Sequence, residues 1–125
     1  GLALNLCREF PPEQIGVIFD IANYSREGAV RPALAVSVLR DYIDCCHIGG
    51  GRMTAGPTDA FGSKEPLVQS CSLADGDLHL PSWLRAIRAA GISPPLLVED
   101  YRPNMSGADR LTESATWLRK VLAAI

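Results

Sequence analysis

Three short apolar segments each end in a side chain that can bind a metal ion or transfer a proton. The side chains that follow them are Asp20, His47 and Glu99. Short runs that are apolar on both faces are typical of buried parallel strands. Ligands bind at the carboxyl ends of such strands in open α/β sheets and in β/α barrels. The sequence therefore predicts that Asp20, His47 and Glu99 converge at one edge of a sheet.

Helical patterns alternate with the predicted strands, which cover residues 15–19, 43–48 and 96–98. Each helix carries terminal signals: Pro32 and Pro81 suit a first turn, Gly91 suits the end of a helix, and Asp109 is a candidate N-cap. Residues 20–24 are predicted as a loop, and Gly28 permits the turn before the helix that begins at Pro32. This order of strands and helices predicts an α/β fold with parallel strands joined by right-handed crossovers.

A long loop is predicted between His47 and the helix that begins at Pro81. Residues 49–75 are rich in glycine and proline, and loops of this length are commonly functional or mobile. The run Gly49-Gly50-Gly51-Arg52 could bind a phosphate or a carboxylate through backbone N–H groups and the guanidinium. A plain flexible loop is the alternative. Arg52 is therefore a candidate substrate-binding residue.

The composition is that of one globular domain with a hydrophobic core. The 125 residues are 47% hydrophobic and carry a formal net charge of −2. The absence of a basic stripe argues against nucleic acid as a partner. No apolar run approaches the roughly 20 residues of a membrane span, so we expect no membrane association.

The cysteines indicate a reducing compartment. The four cysteines lack the spacing of a disulfide framework, which favours free thiols and a cytoplasmic location. A zinc site built from Cys45 or Cys46 with His47 and Cys71 is an alternative, although the sequence has no Cys-x-x-Cys pair.

Four segments carry a resemblance to a known family. Residues 16–23, 46–48, 75–81 and 89–100 resemble the xylose isomerase-like TIM barrel superfamily, closest to its sugar phosphate isomerase/epimerase group. The resemblance implies a partial (β/α) TIM barrel that comprises about the last three β/α units. Residues 1–125 would form the C-terminal half of such a domain. Because three strands cannot close a barrel, we expect the isolated chain to be inactive and its missing half to come from a longer protein or from a second copy.

The resemblance also implies a metal site. In this superfamily a Glu, an Asp, a His and a second Glu bind a divalent metal at the strand ends. Asp20, His47 and Glu99 match the last three, and the first Glu would lie upstream of this chain. Such a set suits Mn²⁺, Mg²⁺, Co²⁺ or Zn²⁺. Glu99 would also act as a catalytic acid/base. Asn23 stands where many members carry a substrate-contacting His, so it is a candidate substrate-binding residue.

The function that the resemblance implies is isomerisation or epimerisation of a small sugar or sugar phosphate by proton transfer. Two alternatives remain: a metal hydrolase like the apurinic-site endonucleases of the same superfamily, and a truncated α/β module without catalytic activity. Each site residue also has a structural interpretation. Asp20 is suited to cap the turn that follows it, and His47 could be a hydrogen-bonded core histidine.

Overall fold

The computed structural model describes residues 1–27 and 31–125, and the side chains of all of these except 25–27. Gly28, predicted to form a turn, lies outside the described residues. The helices are α1 (Leu2–Cys7), α2 (Ile21–Glu27), α3 (Pro32–Leu39), α4 (Leu80–Ala89) and α5 (Gly107–Ala124), with a 3₁₀ turn at Arg40–Tyr42. The strands are β1 (Val17–Asp20), β2 (Ile43–Thr58), β3 (Lys64–Cys71) and β4 (Leu96–Glu99).

A parallel sheet forms the centre of the fold, with β2 between β1 and β4. Asp20 at the end of β1 pairs with His47, and Glu99 at the end of β4 pairs with Gly49. The predicted alternation of parallel strands and helices is therefore confirmed. The pairing also aligns the carboxyl ends of the three strands, because parallel neighbours run in the same direction.

The region predicted as a long loop is instead a two-stranded ribbon. After leaving the parallel sheet, β2 continues to Thr58 and pairs antiparallel with β3, from Gly50 opposite Cys71 to Thr58 opposite Lys64. Glycine and proline lower the strand propensity of this region, but the pairing of two segments overrides propensity. Pro66 is tolerated because β3 has a single described neighbour, and proline is confined to such edge positions.

Hydrophobic side chains fill the space between one face of the parallel sheet and the helices. Phe19, Cys46 and Ile48 point from the strands into a core completed by residues such as Ile21, Val36, Leu39, Leu80, Trp83, Leu84, Ile87 and Leu118. The opposite face of the sheet is open. Ile18 on β1 is 61% exposed and Leu97 on β4 is 43% exposed, so this face lacks a covering layer among the described residues.

Two helix starts differ from the sequence-based prediction. Helix α2 begins directly after β1, so residues 20–24 are not a loop. The N-cap of α5 is Ser106 and not Asp109. Ser106 Oγ accepts a hydrogen bond from Asp109 N at 3.1 Å, and an acidic side chain three residues after the cap stabilises the first turn.

The predicted end and the predicted buried face of α4 are confirmed. Gly91 follows α4 with a φ of 72°, a left-handed conformation that favours glycine. Leu80, Leu84 and Ile87 form the buried stripe of α4. Within residues 1–27 and 31–125, no helix combines the length and apolarity needed to cross a bilayer.

Candidate functional site

Asp20 lies at the junction of β1 and α2, where it also caps the helix. Its Oδ1 accepts a hydrogen bond from Asn23 N at 3.0 Å, and its Oδ2 accepts one from Asn23 Nδ2 at 2.7 Å. The predicted capping role of Asp20 is therefore confirmed. The Asp20 carboxylate can still bind a ligand, because each of its oxygens keeps a further lone pair.

His47 and Glu99 approach each other across the pairing of β2 with β4. His47 Nδ1 lies 3.0 Å from Glu99 Oε1, and the two side chains are 22% and 36% exposed. They point to the open face of the sheet, because their neighbours Cys46 and Val98 belong to or pack against the core on the other face. His47 is therefore not enclosed in the core, and both groups are accessible to a small molecule.

The residues of this cluster could together hold a divalent metal ion. Asp20, His47 and Glu99 each offer a ligand atom, and these atoms all lie within 4.8 Å of one another. Two neighbouring ligands of an octahedral ion lie about 3 Å apart and two opposite ligands about 4.2 Å apart. Two carboxylates and one imidazole also provide the hard oxygen and borderline nitrogen donors that Mn²⁺, Mg²⁺, Co²⁺ and Zn²⁺ accept.

The cysteines do not join this cluster. Within the described part of the chain, the group of side chains arranged to hold a metal contains neither Cys45, Cys46 nor Cys71. All of the chain's cysteines are free. Burial, with a smaller contribution from the neighbouring Cys45, raises the pKa of the Cys46 thiol to about 11. Among the described residues, His47 is therefore grouped with Asp20 and Glu99 and not with the cysteines of the alternative zinc site.

The two candidate substrate-binding residues lie in different environments. Asn23 is next to the cluster and holds Asp20 through the hydrogen bonds described above. Arg52 lies on the ribbon, outside the cluster, and its Nη2 donates a hydrogen bond to the Asp75 carbonyl oxygen at 2.9 Å. The glycine run before it belongs to β2, in the strand pairing. Contact of either residue with a substrate remains a prediction.

A network of charged side chains that the sequence patterns do not predict fixes the segment after Glu99. The carboxylate of Asp100, 7% exposed, accepts a hydrogen bond from Arg102 Nη2 at 2.7 Å, and the same Nη2 donates to Glu113 Oε2 at 3.0 Å. Arg110 Nη1 donates to the Arg102 carbonyl oxygen. These contacts tie the end of β4 to α5. The signal in the sequence is the spacing Asp100-x-Arg102, which places the two side chains within reach across one turn.

The network predicts a pH-dependent contribution to stability. Hydrogen bonds from the Arg102 side chain lower the pKa of Asp100 below its ordinary value. A carboxyl group whose pKa is lower in the folded than in the unfolded state stabilises the fold at pH values above its unfolded pKa of about 3.9. This stabilisation is lost as the pH falls through the folded-state pKa. We therefore expect Asp100→Asn to lower the melting temperature by several degrees at pH 7.

Thermal unfolding of Asp100→Asn and of the wild type between pH 3 and pH 7 measures this effect. The difference between the two should be constant above about pH 5 and should shrink below about pH 4. Asp41→Asn is the control, because Asp41 makes an exposed ion pair with its neighbour Arg40, and exposed pairs contribute little. A difference that is the same at pH 3 and pH 7 would contradict the prediction.

Comparisons with known proteins bear on the fold. No protein-family model and no curated protein matches the sequence. A solved structure, the xylose isomerase domain protein from Planctomyces limnophilus, is similar with a TM-score of 0.54 and 20% identity. The match covers 86% of this chain and 36% of that protein. It confirms the predicted fold, a partial (β/α) barrel. The assignment of residues 1–125 to the C-terminal half of a domain remains a prediction.

Proposed function

From this partial xylose isomerase-like barrel, we propose that the chain carries part of the active site of a divalent-metal-dependent isomerase or epimerase. The substrate would be a small polyhydroxy carbonyl compound, a sugar or a sugar phosphate. The observation that carries the proposal is the convergence of Asp20, His47 and Glu99 at the carboxyl ends of adjacent parallel strands, with ligand atoms within 4.8 Å of one another. Catalytic residues of β/α barrels come from these strand ends.

All three residues of the cluster are metal ligands in this proposal. Asp20, His47 and Glu99 would hold the ion, with the carboxylate of Asp20 oriented by its two hydrogen bonds from Asn23. Such outer hydrogen bonds fix the orientation of metal ligands. When bound, the ion would polarise the carbonyl and the adjacent hydroxyl group of the substrate. Mn²⁺, Mg²⁺, Co²⁺ and Zn²⁺ all suit this set of ligands.

Glu99 is the residue to which we assign proton transfer. Its carboxylate would accept a proton from the carbon next to the carbonyl group, and a proton would return to the same carbon in epimerisation or to the neighbouring carbon in isomerisation. The reaction is balanced without an external oxidant or reductant. Partial exposure of Glu99 gives a substrate access to the carboxylate, and a positioned carboxylate is a common general base.

The open face of the sheet supports the proposal that further strands complete the site. In the described part of the chain, β1 and β4 each have β2 as their neighbour in the parallel sheet and a free edge on the other side. Free edges beside exposed apolar residues such as Ile18 and Leu97 favour association. The remainder of a longer protein, or a second copy of this chain, would cover them and supply further ligands.

Titration with Mn²⁺ tests the metal site in this chain. Free Mn²⁺ gives a strong electron paramagnetic resonance signal that decreases on binding, so the affinity is measured directly and without turnover. We expect one bound ion per chain. Glu99→Gln, His47→Gln and Asp20→Asn should each weaken the binding by at least about tenfold, since each removes one ligand or its charge.

Glu65→Gln is the matched control for Glu99→Gln. Glu65 is exposed on β3 and lies outside the cluster, so the change removes the same charge from the chain at a site remote from the metal. If Glu99→Gln and Glu65→Gln bind Mn²⁺ as tightly as the wild type, the proposed metal site is wrong. The role of Glu99 as the base is tested separately, by measuring how fast the complete barrel exchanges the carbon-bound hydrogen of a ketose in D₂O.

A further inference from the structure

Strand β4, which carries Glu99, is held in the sheet from one side. Among the described residues, β4 pairs with β2 and has no strand neighbour on its other side. The strand is also short, from Leu96 to Glu99, and Glu99 is its last residue. Local opening is easiest where a segment has few contacts, as at the end of a short edge strand. A metal ligand at this position therefore needs a second support.

The segment directly after β4 provides such a support. The backbone N, Nε and Nη2 of Arg102 all donate hydrogen bonds to the Asp100 carboxylate, at 2.7–3.1 Å. A guanidinium that binds a carboxylate through two of its nitrogens fixes orientation as well as distance. Because Asp100 follows Glu99 in the chain, this turn begins at the residue after the proposed metal ligand.

Helix α5 holds the turn at two points. Arg102 Nη1 and Nη2 donate to the two oxygens of the Glu113 carboxylate, at 3.3 and 3.0 Å. Arg110 Nη1 donates to the Arg102 carbonyl oxygen. Glu113 and Arg110 are three residues apart on the helix and so lie on one face. The helix is itself anchored close to Glu113, since Ser114 and Leu118 are buried. Arg102 therefore connects the end of β4 to a helix that packs on the core.

We propose that Arg102 is a positioning residue for Glu99, which it holds at the distance from His47 that a shared metal ion requires. This inference rests on the proposed function, in which Glu99 is a metal ligand and the base. Glu99 Oε1 lies 3.0 Å from His47 Nδ1, the separation of neighbouring ligands on one ion. Without Arg102, the carboxylates of Asp100 and Glu113 would lose the cation between them. The turn would then open, and the end of β4 would move more freely.

The sign of the effect on metal binding separates positioning from simple electrostatics. Arg102 is positively charged, so its removal would strengthen the binding of a nearby cation if charge alone mattered. Loss of positioning has the opposite effect, because a displaced ligand no longer reaches the ion in its proper geometry. Weaker binding of Mn²⁺ after removal of this arginine would therefore identify a geometric role.

Titration of Arg102→Gln with Mn²⁺, followed by electron paramagnetic resonance, is the first test. We expect the affinity to fall by about fivefold or more relative to the wild type. Arg40→Gln is the matched control. It removes the same charge and a hydrogen bond between distant segments, from Arg40 Nε to the Ala90 carbonyl oxygen, and its affinity should stay within about twofold. An unchanged or increased affinity in Arg102→Gln would overturn the inference.

A double-variant cycle tests whether Arg102 acts through Glu99. In a chain that already carries Glu99→Gln, the further change Arg102→Gln should alter the Mn²⁺ affinity by less than about twofold, since the ligand to be positioned is gone. The same loss in both backgrounds would show that Arg102 affects the fold in general, and the positioning role would be wrong.

The contact between His47 and Glu99 gives a second readout, which requires no metal. The ¹⁵N chemical shifts of the His47 ring report its hydrogen bonding, and the second histidine of the chain, His79, is assigned with His79→Gln. Arg102→Gln should move the His47 shifts toward those of Glu99→Gln, whereas Arg40→Gln should leave them unchanged. Identical His47 shifts in Arg102→Gln and the wild type would contradict the proposal.

Glu113→Gln tests the same link if Arg102→Gln does not fold. The Glu113 side chain is 43% exposed, and its replacement leaves the turn around Arg102 in place. It should move the His47 shifts in the same direction as Glu99→Gln. Glu65→Gln, the same change at an exposed position on β3, should not. No shift in Glu113→Gln, or an equal shift in Glu65→Gln, would count against the inference.

Failure of this inference and failure of the proposed function are distinguishable. If Mn²⁺ binds through Glu99 but binds equally well to Arg102→Gln, the positioning role is wrong and the metal site stands. If the wild type binds no Mn²⁺ while the His47 shifts respond to Arg102→Gln, the proposed function is wrong and Arg102 still positions Glu99. If neither is observed, both are wrong.

Discussion

Replacing Trp83 with alanine is expected to lower the free energy of unfolding by about 3–5 kcal/mol, the usual cost of truncating a buried aromatic side chain. Trp83 is 3% exposed. Its ring centre lies 5.9 Å from that of Phe19 and 5.1 Å from that of Tyr24. These contacts join α4 to β1 and α2. Because single domains are stable by about 5–15 kcal/mol, the loss would be a large share of the total.

Urea unfolding followed by circular dichroism measures this loss, with Trp117→Ala as the matched control. Trp117 is partly buried and packs at the edge of the core. Its truncation should cost about 1–2 kcal/mol, since it leaves a smaller cavity. Equal losses in the two variants would show that the aromatic cluster of Phe19, Tyr24 and Trp83 is not the centre of the core.

Trp83→Ala should also weaken Mn²⁺ binding without removing a ligand. Phe19 and Tyr24, which pack on Trp83, flank the segment that carries Asp20 and Asn23. A cavity beneath this segment would loosen the hydrogen bonds that orient the Asp20 carboxylate. We expect a reduction of about threefold to tenfold in affinity, whereas Trp117→Ala should leave the affinity unchanged. The same titration measures both variants.

Gly50→Ala is expected to have the second large effect, because β3 lies too close to β2 for a side chain there. A Cβ at Gly50 would lie 2.2 Å from the Ser72 carbonyl oxygen and 2.3 Å from that of Cys71. Both are backbone atoms at the end of the ribbon, so relief requires movement of β3. We expect a loss of about 1–3 kcal/mol or more. Faster hydrogen exchange of the β3 amides should accompany it.

Gly107→Ala is the control for this substitution. Gly107 begins α5, and the nearest heavy atom to its added Cβ would be Arg110 Nη2 at 3.9 Å. The free energy of unfolding should stay within about 0.5 kcal/mol of the wild type. The Gly50 prediction is wrong if the two variants are equally stable. Mn²⁺ binding should persist in Gly50→Ala, because Asp20, His47 and Glu99 lie on the parallel sheet rather than on β3.

The alternation of strands and helices and the residues at the strand ends could be predicted from the sequence alone. Apolar runs of strand length and helical stripes are local patterns, and the polar residue that ends each run is visible without knowledge of any partner. Parallel pairing then follows from the order of the elements. For this reason Asp20, His47 and Glu99 were predicted together, and the structure places their ligand atoms within 4.8 Å of one another.

The ribbon and the charged network behind Glu99 could not be predicted from the sequence, because both depend on contacts between distant segments. Residues 49–75 contain glycines and prolines that predict a loop, and they form strands because two segments supply each other's hydrogen bonds. The register of that pairing places Ser70 opposite Gly51 and Arg52 opposite Gln69. The contact of Arg102 with Glu113 similarly joins a loop to a helix. Such arrangements depend on the relative position of separate segments, and single-residue propensities carry no information about it.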